Sequence, residues 1–245
     1  MTVVATETRD RAVTAWRFHP PTAGAPPDLA HARLVPNENT SPPAKPTTPA
    51  GPTILLRRND ARRPAAETLV GKVYSQQYGA TPRHFPALMA ARLNADGQIV
   101  ATCGLRFAED GFFSACYLDV PLHEAVGAAL GHAVAPDSIL EVNTLASSSR
   151  LHGTAIVADV ILAAVRAGVV FGCFTAVARL ADILARQGLP LRRIADARIE
   201  RVAEPALWGS YYQHDPGVYI VDGRPALDLV RSTYPLAKEA FDEHV

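Results

Sequence analysis

Residues 139–155 read Ile-Leu-Glu-Val-Asn-Thr-Leu-Ala-Ser-Ser-Ser-Arg-Leu-His-Gly-Thr-Ala. The apolar start, rich in β-formers, predicts a strand, the three serines a loop, and the residues from Gly153 a helix. Strand, small-residue loop and helix start together build a nest of unclaimed backbone N–H groups, where a phosphate binds without a lysine. Ser147, Ser148, Ser149, Arg150, Gly153, Thr154 and Ala155 are therefore candidate phosphate ligands: small residues admit the backbone, and the helix dipole supplies partial positive charge. The plainer alternative is a serine N-cap, with Ser149 accepting from the first turn. Glu141 lies on the preceding strand between Leu140 and Val142. Desolvation there raises a carboxyl pKa toward neutrality and suits it to take a proton; its alternative is a structural pairing with an arginine. Asn143, two residues on, faces the same side of a strand.

The surrounding elements follow from spacing. Ten of the twenty prolines fall between Pro20 and Pro52, so residues 1–52 are expected to form a flexible or loosely docked arm, which Trp16 and Phe18 could pin at its start. Residues 53–245 are expected to form a single domain. A helix is predicted over 62–77, with Pro64 in its first turn and Gly79 closing it. Strands are predicted over 85–93 and 98–107 around Asp96-Gly97, and over 112–118. Then follow a helix over 121–131, the strand 139–146, a helix over 153–167, a strand over 169–175 and a helix over 176–187. Residues 193–202 and 218–221 are the last predicted strands, flanking Trp208-Gly-Ser-Tyr-Tyr212. This order predicts an α+β fold: a mixed, mostly antiparallel sheet with helices on both faces.

Composition narrows the function classes. The formal net charge is zero, and the 21 arginines and three lysines are scattered, which gives no support for a basic nucleic-acid or membrane-surface face. Cys103, Cys116 and Cys173 are odd in number, without Cys-x-x-Cys spacing, and sit in strand-like runs; buried thiols of a cytoplasmic protein are expected. His84, His123, His132, His152 and His214 show no metal-ligand spacing, so no metal is expected. Residues 153–178 are long and apolar, yet Asp159, Arg166 and Gly168 interrupt them; helix then strand is the reading, without a membrane span. Ser149 is not in a Gly-x-Ser-x-Gly elbow, which argues against a serine hydrolase.

The order Arg150-x-x-Gly153-x-Ala155 resembles the pyrophosphate-binding signature of the Gcn5-related N-acetyltransferase (GNAT) superfamily, with Ala155 where the strongest pattern has Gly. The element order resembles that layout over residues 53–221. Within it, five fragments resemble the thermostable hemolysin family: Gln77-Tyr-Gly-Ala80, Tyr117-Leu-Asp119, Glu141-Val-Asn143 with Leu145-Ala146, Phe174-Thr-Ala176, and Trp208-Gly-Ser-Tyr-Tyr212. The helix from Gly153 with Gly188-Leu189 is also similar to the acyl-homoserine-lactone synthases. The resemblance implies an N-acyltransferase that moves an acyl group from acyl-coenzyme A, as co-substrate, to a small-molecule amine, in specialised metabolism. Glu141 would be general base, Asn143 would orient substrate or water, and strand N–H groups near 143–145 would polarise the thioester. Because residues 176–187 hold no tyrosine, either a tail tyrosine, Tyr211 or Tyr212, is the general acid or none is used, coenzyme A thiolate being a tolerable leaving group; Tyr212 is the chosen candidate. An acyl-carrier-protein or aminoacyl-tRNA donor, a non-catalytic binding protein and a lytic toxin stay open as alternatives, as does the oligomeric state.

Overall fold

The computed structural model describes residues 50–233. Seven strands form one sheet: β1 (Ala50–Arg57), β2 (Leu88–Asn94), β3 (Ile99–Arg106), β4 (Ile139–Ser147), β5 (Phe171–Val177), β6 (Leu191–Asp196) and β7 (Pro216–Asp222). Their spatial order is β1-β2-β3-β4-β5-β7-β6, antiparallel everywhere except at β4–β5. The helices are α1 (Arg63–Tyr78), α2 (Leu122–Leu130), α3 (Arg150–Arg166), α4 (Ala178–Arg186) and α5 (Gly223–Thr233). This is the expected GNAT-like α+β architecture.

Alternation along the strands splits the core into two layers. On one face, Val70 and Tyr74 of α1 pack on Leu56, Met89 and Ala91, while Leu122 and Val126 of α2 pack near Ile139 and Cys173. On the other face, Ile156 and Val160 of α3 cover Ala90, Cys103, Leu105 and Leu140. Apolar faces against a sheet are what hold such helices, because short isolated helices are marginal in water. A buried ion pair adds to α3: Asp159 accepts from Arg92 Nη1 at 2.5 Å and from the Thr53 hydroxyl.

Two features of β4 shape the molecule. Its parallel ladder with β5 consists of Ile139–Phe171, Leu140–Gly172 and Glu141–Cys173 and then stops, so residues 142–147 and 174–177 splay apart as a wedge. Against β3 the register slips by one residue between Asn143–Gly104 and Ala146–Thr102, and Thr144 takes a positive φ of 48°. This bulge returns Ala146 to the α1 face, the side Asn143 faces.

Several expectations are corrected. Residues 112–118 do not form a strand: Phe113–Tyr117 make a 3₁₀ turn, whose first N–H groups serve Glu141 instead of a ladder. Helix α3 begins at Arg150, not Gly153, because Ser149 caps it. The strand expected over 193–202 ends at Asp196, and 3₁₀ turns follow at Ile199–Arg201, Pro205–Trp208 and Tyr211–His214. Strand β1 begins three residues inside the segment assigned to the arm. The remainder of that segment, with Trp16 and Phe18, lies outside the described residues.

Candidate active site

The wedge between β4 and β5 opens a cavity of about 750 Å³. Its mouth is lined by Ser147, Ser148, Ser149, Arg150, Gly153 and Thr154, and its inner end reaches Asn143, Thr144 and Thr175. Ala155 is buried behind the mouth and does not line it. Ser149 Oγ accepts from the His152 N–H at 3.2 Å, and Ser149 O from the Gly153 N–H at 3.1 Å. The first-turn N–H groups of Arg150 and Leu151 keep no acceptor among the described residues, as an anion site at a helix start requires. A Cβ on Gly153 would lie 2.9 Å from Ser147 Oγ, so glycine lets the helix start close on the strand end. Arg150 and Arg179 are exposed at the rim and make no ion pair among the described residues.

Deeper in, Thr154 Oγ1 accepts from Gln187 Nε2 at 3.0 Å, bridging α3 to the residue that ends α4. Gln187 Oε1 is buried in the same wall without a donor. A buried amide oxygen normally has a partner, and an elongated ligand with amide N–H groups would supply one.

On the opposite face lies a smaller cavity of about 130 Å³, walled by Tyr74, Phe113, Tyr117, Trp208 and Tyr211 and lined also by Arg106 and Glu141. Tyr74, Asn143, Thr144, Thr175 and Tyr211 line both cavities, so the two meet at the wedge. The Trp208–Tyr211 segment is fixed against the end of α1, with the Ser210 N–H donating to Tyr78 O at 2.8 Å and the Thr81 N–H to Leu207 O at 2.7 Å.

Glu141 has 0% exposure. Its Oε2 accepts from the Phe113 N–H at 2.6 Å, and its Oε1 from the Ser114 N–H at 2.7 Å and the Ser114 hydroxyl at 2.5 Å. Burial pushes its pKa up; those donors and the Arg106 charge hold it back without cancelling the rise. No arginine pairs with it directly, so the alternative of an Arg-paired glutamate is not what the structure builds. Thr175 Oγ1 lies 2.8 Å from Ser114 Oγ. Ser114 has one hydroxyl proton, committed to Glu141, so Thr175 donates to Ser114 and keeps its own lone pairs for the cavity.

Asn143 stands where the cavities join, its side chain crossing β3 at Gly104, where a Cβ would be 2.2 Å from Oδ1. Tyr212 is not brought to either cavity. Its hydroxyl pairs with that of Tyr117 at 2.5 Å, and burial pushes its pKa up to about 12. Tyr211 lines both cavities instead, buried, its hydroxyl 3.4 Å from Thr175 O. Ser114, Arg106 and Gln187 lie in no motif of the sequence, and Thr175 falls within the family-like fragment Phe174-Thr-Ala176 without a role that the fragment assigns.

No curated protein matches the sequence. Among solved structures, the chain is similar to FeeM, an N-acyl amino acid synthase from uncultured soil microbes, at 14% identity over 77% of this chain and 99% of that one, with a TM-score of 0.49. It is similar to the AHL synthase LasI at 12% identity, over 71% and 91%, with a TM-score of 0.49. For MesI, a CoA-dependent acyl-homoserine lactone synthase, the values are 15%, 75%, 95% and 0.47. At these identities and scores the likenesses carry no argument about substrate. The family model is a different matter: that of thermostable hemolysin matches residues 56–227, from β1 into α5 and across every residue of the site. The chain belongs to the thermostable hemolysin family.

Proposed function

We propose that this protein is an N-acyltransferase that moves an acyl group from acyl-coenzyme A to the amine of a small molecule. The observation that carries the reading is the pair of cavities meeting at the β4–β5 wedge, one entered past a helix N-terminus and the other walled around Glu141. The donor side fits the co-substrate in three places. The first-turn N–H groups of Arg150 and Leu151 suit a pyrophosphate, the exposed arginines 150 and 179 suit further phosphate charge, and Gln187 Oε1 suits an amide N–H. When bound, acyl-coenzyme A supplies an already activated thioester, so modest protein assistance suffices.

The chain's own residues do the rest. The Thr144 bulge breaks the β3–β4 register at the inner end of the donor cavity, and strand N–H groups released there would polarise the thioester carbonyl as charge develops on it. A protonated amine must lose a proton to become a nucleophile. Thr175 Oγ1 takes that proton as its own passes to Ser114 Oγ and that of Ser114 passes to Glu141 Oε1, so one proton moves from amine to carboxylate and no atom is left unbalanced. Asn143 orients the acceptor at the junction. Tyr211, at the wedge, replaces Tyr212 as the tyrosine able to meet a leaving thiolate.

Thermal unfolding of the pure protein with acetyl-coenzyme A, a longer acyl-coenzyme A or free coenzyme A tests the donor site. A ligand at 100 times its dissociation constant adds about 2.7 kcal/mol. The expected result is a rise in Tm for the wild type that Arg150→Ala reduces and Gly153→Val abolishes. Absence of a rise with every thioester would overturn the coenzyme A donor, and a rise with acyl carrier protein alone would reassign it. Among the described residues no helix is long and apolar enough to cross a membrane.

A further inference from the structure

We infer that the acceptor carries a carboxylate close to its amine, and that Arg106 binds it; this rests on the acyltransferase reading above. Arg106 is the cross-strand partner of Glu141 and lines the smaller cavity beside it. An arginine next to a buried glutamate would be expected to pair with it. Here it does not, because both Glu141 oxygens are filled by the Phe113 and Ser114 N–H groups and the Ser114 hydroxyl. Arg106 Nε is buried without an acceptor. Its Nη1 reaches only Asp110 O at 3.5 Å and Gly111 O at 3.4 Å, both long, and its Nη2 has no partner among the described residues.

A buried, unsatisfied guanidinium N–H costs stability unless something accepts from it. The free Nε–Nη2 edge is the flat two-donor fork that matches the two oxygens of a carboxylate. The remaining charges of this cavity fit the same sign. His84 and Glu204 at its rim engage each other at 2.6 Å, and Arg83, exposed beside them, has no anionic partner among the described residues.

Placement in the sheet sets the spacing between carboxylate and amine. Arg106, Glu141 and Cys173 stand in one row across β3, β4 and β5, and Thr175 is two residues beyond Cys173 on the same face. The outer strands of that row are two interstrand spacings apart, roughly 9–10 Å. Arg106 and Thr175 both line the smaller cavity, so a small molecule lying in it can meet the guanidinium at one end and the Thr175 hydroxyl at the other. A carboxylate at the first and an amine at the second is the arrangement of an amino acid. The aromatic walls, Tyr74, Phe113, Tyr117, Trp208 and Tyr211, take an apolar or aromatic remainder.

The test compares matched acceptors with the full chain: phenylalanine, phenylalaninamide and 2-phenylethylamine, then leucine, leucinamide and 3-methylbutylamine. Acetyl- and decanoyl-coenzyme A serve as donors, with thiol release and the mass of the N-acyl product as readouts. The free acids are expected to react with kcat/KM roughly 10- to 100-fold above their amides and decarboxylated counterparts, the range of charge-assisted hydrogen bonds. Arg106→Gln should erase that preference, and Arg106→Lys should restore part of it, while donor-induced thermal stabilisation stays as in the wild type. Equal rates for the neutral amines in the wild type would overturn the carboxylate assignment and leave acyl transfer standing. Donor binding without turnover of any of the six would overturn it as well. Absence of both donor binding and turnover would remove the acyltransferase reading along with it.

Discussion

At the scale of the residue, Glu141 combines complete burial with three donated hydrogen bonds and a pKa that still lies above the ordinary carboxylate value. Its raised pKa means that the folded protein holds this proton more tightly than the unfolded chain does. The group's contribution to stability is therefore complete below the ordinary carboxylate pKa and is lost as pH rises through the higher folded value. Acyl transfer needs the opposite form, so kcat/KM should fall as pH drops through a value above the normal carboxylate range. Thr175→Val, which removes the cavity end of the hydroxyl chain, should lower kcat/KM by about 100-fold or more, whereas Thr175→Ser should stay near the wild type and keep the acid limb. A Thr175→Val enzyme with unchanged rate would sink the chain as the proton route. Glu141, Asn143 and the serine loop stand out in the sequence by residue type and spacing, and the structure sets them along the two cavities. Ser114 and Thr175 do not stand out, since they reach Glu141 from far along the sequence, and nothing local marks such a contact. Tyr211 rather than Tyr212 lines the wedge for a geometric reason: successive side chains in a 3₁₀ turn diverge by about 120°, so a one-residue offset turns the hydroxyl away from it.

At the scale of the element, α3 is the piece that must be held still, because its first turn forms the mouth of the donor cavity. The Arg92–Asp159 pair clamps it to β2, with Arg92 5% exposed. Asp159→Asn would leave that guanidinium buried beside a neutral amide and should cost about 3–5 kcal/mol, read as a lower midpoint in urea. Loss within 0.5 kcal/mol would show the clamp to be unimportant. In the sequence Asp159 interrupts an otherwise span-like apolar stretch, and its polarity inside an apolar helix is the signature of such a clamp. Helices and central strands were readable because their periodicity and stop signals agree. Strand β1 was not, since Gly51 and Pro52 look like loop; an edge strand tolerates both, and among the described residues β1 has a neighbour on one side only. Helix α5 was missed behind Pro225, which a first turn accommodates. The Phe113–Tyr117 segment carries β-forming aromatics, and only the distant carboxylate of Glu141 decides its turn.

At the scale of the whole molecule, the two cavities share walls, so occupation of one changes the surface offered to the other. The sheet itself is less uniform than its seven strands suggest. Strands β1–β4 and β5–β7 are two plates riveted along only three residue pairs, with the Thr154–Gln187 hydrogen bond as a strut on one side. Such a seam is a line of mechanical weakness, and a ligand lying in it acts as mortar. Hydrogen–deuterium exchange should be faster at those amides of 142–147 and 174–177 that face the seam, rather than β3 or β7, than in the fully paired β2 and β3, and should slow on both lips together when a donor binds. The molecule would then trade rigidity at its centre for a slot, and recover that rigidity only while the slot is filled.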